Sequence, residues 1–272
     1  MMPKLSVITI NYNNAAGLEK TIESVIQQTY TDFEFIIIDG ASTDGSVDVI
    51  KKYSEKISFW VSEKDKGIYN AQNKGVDKAK GEYCLFLNSG DYLISDDIIE
   101  KVFSKKHTED IIYGDMMIDK GDGKLYCGKH PEEITFDFMM YTTMWHPVSF
   151  IKRVLFEKHG YYNEKLKITA DYDFFLNMII VHKASTKHIP EAISVFNTFG
   201  IGSDKKHKQL HEEERKLVQE KYFDKKEIAD SKIRVKKQRG NIALVSDWLE
   251  SFPGIKKTAS FLYQGLKSKG KE

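Results

Sequence analysis

"LSVITINYNNAAGLEKTIESVIQQTYTDFEFIIIDG", Leu5–Gly40, is the stretch on which the fold turns. Its first seven residues are apolar and β-branched, as in a strand buried on both faces. Leu18, Ile22, Val25 and Ile26 then recur at helical spacing, and Phe33–Gly40 is strand-like again. A strand, a helix and a second strand joined by short polar turns predict a parallel pair with a crossover helix.

The alternation continues. Val47, Ile50 and Tyr53 mark a helix, "ISFWVSE" (Ile57–Glu63) a third strand, and Ile68, Ala71, Gly75, Val76 and Ala79 a helical stripe. "EYCLFLN" (Glu82–Asn88) reads as a fourth strand, Ile98 to Phe103 as a helix, and "DIIYGDM" (Asp110–Met116) as a fifth strand. This pattern predicts an α/β fold, a mostly parallel sheet with helices on both faces. Beyond Met116 the pattern changes. "GDGK" (Gly121–Lys124) turns a small antiparallel hairpin, a Met- and aromatic-rich segment spans Phe136–Pro147, and helices are expected at Arg153–His159 and Ala170–Val181. Ser185–Asn197 reads as a strand pair, Phe199–Asp204 as a break, and Lys205–Lys237 as helix. The expected division is 1–200 for the main domain, with halves 1–117 and 118–200, and 201–272 for a basic helical extension.

The totals are compatible with one α/β domain and an appendage: 272 residues, 41% apolar and 30% charged. A net charge of +1 gives no global indication of nucleic-acid binding. Ten Lys or Arg from Lys232 onward face only Asp247, Glu250 and Glu272. Interleaved with Trp248, Phe252, Phe261 and Leu262, this tail (232–272) suits either a peripheral contact with an anionic membrane or a packing or homo-oligomer contact. Cys84 and Cys127 lack metal-ligand spacing and fit core thiols in a reducing compartment. No signal peptide or transmembrane run is apparent, so a cytoplasmic location is expected.

In open α/β sheets, ligands bind beyond the carboxyl ends of the strands. The residues there are polar and often acidic: Asn11 to Asn14, Asp39 to Asp44, Asp65-Lys66, and Asn88-Ser89-Gly90-Asp91. The first turn, "NYNNAAG", has neither a Gly-x-Gly-x-x-Gly nor a Walker-type Gly-Lys-Ser/Thr, so a dinucleotide or P-loop site is excluded there.

"SVITINYNNAAGLEKTIESVIQQTYTDFEFIIIDGASTDGS" and "DKGIYNAQNKGVDKAKGEYCLFLNSGD" resemble successive blocks of family 2 glycosyltransferases of the GT-A fold, with a bacterial exopolysaccharide and capsule branch, colanic-acid-type transferases among them, most similar. The resemblance covers roughly Lys4 to Phe196. It implies an inverting transfer of sugar from a UDP- or GDP-sugar to a hydroxyl of a lipid-linked bacterial glycan, at the cytoplasmic side of the inner membrane. It further implies that Asp39 hydrogen-bonds the nucleobase, that Thr9 and Asn11 line the same pocket, and that Asp65 and Asn73 stand near the donor. Asp44 fits a helix cap as well as a functional role.

The loop after the fourth strand departs from the family's usual "LDxDD" and reads "LNSGD", Leu87–Asp91. In the family this loop meets the ribose and a divalent cation, Mn²⁺ or Mg²⁺, that neutralises the leaving diphosphate. Two expectations follow: Asp91 is the metal ligand with Asn88 on the ribose, or Asp91 is a structural cap and metal is weak. The resemblance puts the catalytic base in "TADYDFFL" (Thr169–Leu176), at Asp171 with Asp173 as fallback; helix capping and the helix dipole are the competing account of both acids. Trp145 and His146 would sit near acceptor or diphosphate, or in the core. A non-catalytic sugar-nucleotide or glycan-binding protein on the same fold is the rival reading.

Overall fold

The structure is a computed structural model that describes residues 2–198 and 205–250, with 205 and 239–250 as backbone only. The expected break at Phe199–Asp204 and the segment 251–272 of the basic tail lie outside the described residues.

The opening stretch folds as its periodicity requires. Strand β1 (Leu5–Asn11) leads into helix α1 (Ala15–Ile26) and strand β2 (Phe33–Asp39). The two strands pair in parallel, Leu5 beside Phe33 and Asn11 beside Asp39. Helix α2 (Ser46–Lys52), strand β3 (Phe59–Ser62), helix α3 (Ile68–Lys78) and strand β4 (Tyr83–Phe86) follow. Strands β3 and β4 join the outer sides of β2 and β1, both parallel.

The second half turns the sheet mixed. It comprises β5 (Tyr92–Leu93), α4 (Ile98–Phe103), β6 (Ile111–Asp119), β7 (Leu125–Gly128), α5 (Phe136–Tyr141), β8 (Ser149–Lys152), α6 (Arg153–His159), α7 (Ala170–Phe175) and β9 (Thr186–Asn197), then α8 (Lys208–Tyr222) and α9 (Lys225–Glu250). Among the described residues the sheet has nine strands in the order β3-β2-β1-β4-β8-β6-β9-β5, with β7 paired to β6. Strand β8 is antiparallel to both β4 and β6 and so ends the parallel run.

Alternate residues of each strand feed separate cores. Ile8, Ile10, Ile36, Ile38 and Phe86 pack with α3, α6 and α7 on one face. Leu5, Val7, Phe35, Ile37 and Leu85 pack with α1 and α4 on the other. Each fully buried side chain of this size contributes roughly 1.5–3 kcal/mol. Close approach depends on two glycines: a Cβ at Gly75 would lie 2.4 Å from Ile8 Cγ2, and one at Gly81 2.5 Å from the Ser6 backbone nitrogen.

Three expectations need correction. Ser185–Asn197 is one strand, not two; the register shift where Tyr113 faces His188 and Asp115 faces Ala192 absorbs Pro190, which has no N–H to give a ladder. The helix expected to run to Val181 is α-helical only to Phe175 and π-helical over Leu176–Val181. Cys127 is exposed on β7, so only Cys84 is a core thiol. Among the described residues no helix is long and apolar enough to cross a membrane.

Because backbone rather than a flexible side chain faces it, Gly81→Ala should lower stability by about 1–3 kcal/mol. Urea denaturation of the two proteins measures this, and an unchanged midpoint would contradict the packing described.

Candidate active site

The strand ends β1 to β3 meet at one buried carboxylate. Asp39 is fully buried; its Oδ1 accepts from Asn11 Nδ2 at 2.7 Å and from Ser42 Oγ at 2.6 Å. Its Oδ2 accepts from Ser62 Oγ at 2.6 Å and from the Ser42 N–H at 2.9 Å. Burial alone would raise this carboxyl, but the hydrogen bonds from Ser42, Ser62 and Asn11 outweigh it and hold the group below its ordinary value. Four donors fill the lone pairs of a carboxylate. A base contact by Asp39 therefore requires a seryl hydroxyl to turn away.

The loops above are laced together. The Asn13 N–H donates to Ser42 Oγ, the Thr43 N–H to Asn13 Oδ1 and the Ala15 N–H to Asp44 Oδ2, each at 2.8 Å. Asp44 Oδ1 also accepts from the N–H and hydroxyl of Ser46 at the start of α2, although the N-cap of that helix is Gly45 and not Asp44 as expected. Asn13 and Ala41 take φ of 48° and 63° to make these turns. A Cβ on Gly40 would lie 2.6 Å from Asp65 Oδ2 and 3.1 Å from Tyr12 Cδ2, so glycine lets both side chains close over the end of β2. Tyr12 is 68% exposed, a free ring at a strand end. Sequence reasoning passed over it; an aromatic directly after a buried strand, where only polar residues are otherwise found, was the available signal.

The Asn88–Asp91 loop is held by α1. Asn14, the N-cap of α1, donates to the Ser89 carbonyl at 3.0 Å, while Thr21 donates to the Asp91 carbonyl at 2.7 Å and accepts from the Gly90 N–H at 3.0 Å. Asp91 is 4% exposed, and its Oδ1 accepts from the Asn197 N–H at the end of β9. Burial pushes its carboxyl up to about 7, against the lowering effects of that N–H and of His146.

Across the sheet, α7 brings Asp171 to this loop. Asp171 Oδ2 lies 3.3 Å from His146 Nδ1, and His146 Nε2 lies 3.1 Å from Asn88 Nδ2. Asp171 Oδ1 accepts from the Tyr172 N–H at 2.8 Å and from Tyr69 Oη at 3.2 Å. The Asp171 and His146 side chains keep 18% and 17% of their surface, enough for a substrate atom to reach them. Asp173 points elsewhere: it is 5% exposed and pairs with Lys221 of α8 at 3.1 Å, a tie between helices.

Other expected residues have different tasks. Thr9 is fully buried and donates to the Leu87 carbonyl at 2.8 Å, joining β1 to the end of β4 instead of lining a pocket. Asn73 clamps the backbone of Tyr162, accepting from its N–H at 3.0 Å and donating to its carbonyl at 2.9 Å, and has no free polar group for a donor. Asn88 turns toward His146 and Gln72. Trp145 lies against the His130 ring, 4.1 Å between centroids, half-buried at the edge of the core.

A family model described as "Glycosyl transferase family 2" matches residues 6–163, more than half of the chain. The chain belongs to glycosyl transferase family 2. Similar curated proteins include a "PGL/p-HBAD biosynthesis glycosyltransferase" of Mycobacterium bovis (strain BCG / Pasteur 1173P2), 29% identical over 204 residues, 73% of this chain and 78% of that one. An uncharacterized glycosyltransferase of Mycobacterium tuberculosis (strain CDC 1551 / Oshkosh) is 31% identical over 74% of this chain and 78% of its own. Among solved structures, Staphylococcus aureus TarS 1–349 in complex with UDP superposes with a TM-score of 0.60 at 21% identity, over 71% of this chain and 60% of that one. The mannosyltransferase PcManGT of Pyrobaculum calidifontis, in complex with GDP-Man and Mn²⁺, gives 0.57 at 18% identity, over 75% and 59%. The chain thus spans about three-fifths of these solved chains, and the likeness establishes the GT-A fold.

In this family 2 chain, α7 with Asp171 lies beyond the matched residues 6–163, and α8 completes its setting. Glu214 of α8 accepts from the backbone N–H groups of Lys167 (2.7 Å), Ile168 (3.0 Å) and Thr169 (3.1 Å), just ahead of α7. An anion at that helix start satisfies amides that would otherwise lack partners. Arg215 donates to the Met139 and Thr142 carbonyls at 2.7 Å and lies 4.0 Å from the Tyr172 ring. The expected boundary at residue 200 therefore separates α8 from the unit it packs into. Polar residues on a charged helix gave no sequence signal of this inward role.

The loop as it stands does not form a metal centre. Asp91 is its one acid, it is buried against a backbone N–H, and no three His, Cys, Asp or Glu converge among the described residues.

Asp91 also sets a pH dependence. Its folded pKa of about 7 lies above its ordinary 3.8, so the folded state binds more protons between those values and loses stability as pH rises through them. The cost is absent at low pH and complete above about 7. Asp91→Asn keeps an acceptor for the Asn197 N–H and removes the charge. It should be more stable than the parent by roughly 2–4 kcal/mol at high pH, with the gain vanishing toward the ordinary carboxylate range. Urea unfolding of both proteins across this range tests it; a gain independent of pH would refute it.

Proposed function

We propose that this chain is an inverting glycosyltransferase that moves a sugar from a nucleoside-diphosphate sugar to a hydroxyl of a lipid-linked bacterial glycan in exopolysaccharide, capsule or O-antigen synthesis. The observation that carries the reading is the Asp171 carboxylate, accessible and hydrogen-bonded to His146, facing the loop after β4. The nucleotide would lie over β1 to β3, with Tyr12 and Asp65 flanking its base and Asp39 ordering the loops beneath. Asp171 takes the proton of the acceptor hydroxyl as its oxygen bonds to the anomeric carbon. The bond from that carbon to the diphosphate oxygen breaks, and the nucleoside diphosphate leaves with the electron pair. The proton then passes from Asp171 to solvent. Family membership and the named relatives support sugar transfer, and the UDP and GDP-Man bound to the structural neighbours support a nucleotide-sugar donor.

A divalent cation, Mn²⁺ or Mg²⁺, belongs to this reading, with Asp91 the residue of this loop that would hold it; the Mn²⁺ bound to the similar mannosyltransferase PcManGT supports it. Transfer lost on chelation and restored by either ion would support it; full turnover in chelator would remove it. We place the enzyme at the cytoplasmic face of the membrane, where the basic residues from Lys232 onward meet anionic lipid.

Asp171→Asn should bind donor as the parent does and lose transfer by about a hundred- to ten-thousand-fold. A panel of UDP- and GDP-sugars, read by release of nucleoside diphosphate, identifies the donor for this measurement. Near-parental turnover by the variant would overturn the assignment of the base.

A further inference from the structure

We propose that Asn88 is a positioning residue: its side-chain amide holds His146 as the neutral Nδ1–H tautomer, and that tautomer orients Asp171. The inference rests on Asp171 being the base.

The argument is one of donors and acceptors along a chain of side chains. Gln72 Nε2 lies 3.3 Å from Asn88 Oδ1, Asn88 Nδ2 lies 3.1 Å from His146 Nε2, and His146 Nδ1 lies 3.3 Å from Asp171 Oδ2. An ionised Asp171 only accepts, so Nδ1 carries the ring proton. A neutral imidazole has one N–H, which leaves Nε2 bare and in need of a donor. The amide NH₂ of Asn88 is the group that faces it, and Gln72, 1% exposed, donates to the amide's oxygen. With Asn88 and Gln72 both turned over, Gln72 Oε1, which is buried without a partner, would gain one. That arrangement would present an oxygen to Nε2 and require a second ring proton.

The choice between amide and carboxylate at position 88 is therefore chemical. A carboxylate there would also call for a proton on Nε2 and convert the ring to an imidazolium between two anions. An imidazolium against Asp171 favours the ionised carboxylate and makes it a weaker proton acceptor. Asn88 keeps the ring neutral, so His146 directs Asp171 without placing a full positive charge beside it. A residue standing where the family has an acid thus acts on the base rather than on the ribose.

The test is ¹⁵N NMR of histidine-labelled full-length protein without donor, at about pH 8, above the ordinary histidine range, with the His146 signals assigned by their loss in His146→Gln. The expected result is a protonated Nδ1 and a bare Nε2. A proton on Nε2, alone or in an imidazolium, overturns the proposal. Asn88→Asp should then show an imidazolium at the same pH, with kcat lowered by about tenfold or more and a smaller change in donor KM. An imidazolium in that variant with unchanged kcat also overturns it. Failure of the base assignment is separately visible, because an active Asp171→Asn removes the base while the tautomer of the parent protein is read without any turnover.

Discussion

A single buried charge organises the carboxyl end of strands β1 to β3. Asp39 is fully buried, and an ionised carboxylate in such a place persists only if protein donors take the place of solvent. Those donors come from the end of β1, the loop after β2 and the end of β3. Three segments distant in sequence are thereby fixed relative to one another. The loop after β4 is added through α1, whose cap Asn14 and inner Thr21 bind its backbone. The strand ends form a platform because the charge beneath them must be satisfied.

The second half is tied to that platform by helices that carry their own polar anchors. Glu214 occupies the amides ahead of α7, Arg215 holds the end of α5, and Asp173 pairs with Lys221. Helix α8 is thus part of the frame that aims Asp171, although it is charged along most of its length. The site is assembled from residues more than a hundred positions apart, as expected where a scaffold of strands presents loops for chemistry.

Much of this was legible in the chain. Continuous apolar runs and period-3.6 stripes marked the strands and helices of the first half, because β1, β2 and β4 are largely buried on both faces and the helices on one. Asp39, Asn11, Asp65 and Asp91 could be located at strand ends from the same pattern. What each side chain does there could not be read. Thr9 and Asn73 have the polar character of ligand contacts, yet both are consumed by backbone groups of neighbouring segments, a matter of three-dimensional proximity. Ser185–Asn197 reads as a strand pair in the sequence, whereas the register shift that lets one strand run through Pro190 depends on pairing with β6. Glu214 and Arg215 were indistinguishable from a solvated helix face, since their partners are main-chain groups that no composition reveals.

The backbone of the "LNSGD" loop also bears on how this sequence can change. Gly90 has φ of 104°, a conformation that side chains rarely adopt. An aspartate returned to that position, where the resembling family has one, would carry backbone strain of about 1–3 kcal/mol until the loop rearranged. An aspartate returned to position 88 would set a second carboxylate against the His146 ring, opposite Asp171. The two positions are therefore not independent: the loop backbone, the His146 ring and the Asp171 carboxylate constrain one another, and an acid at either position calls for adjustment in the others.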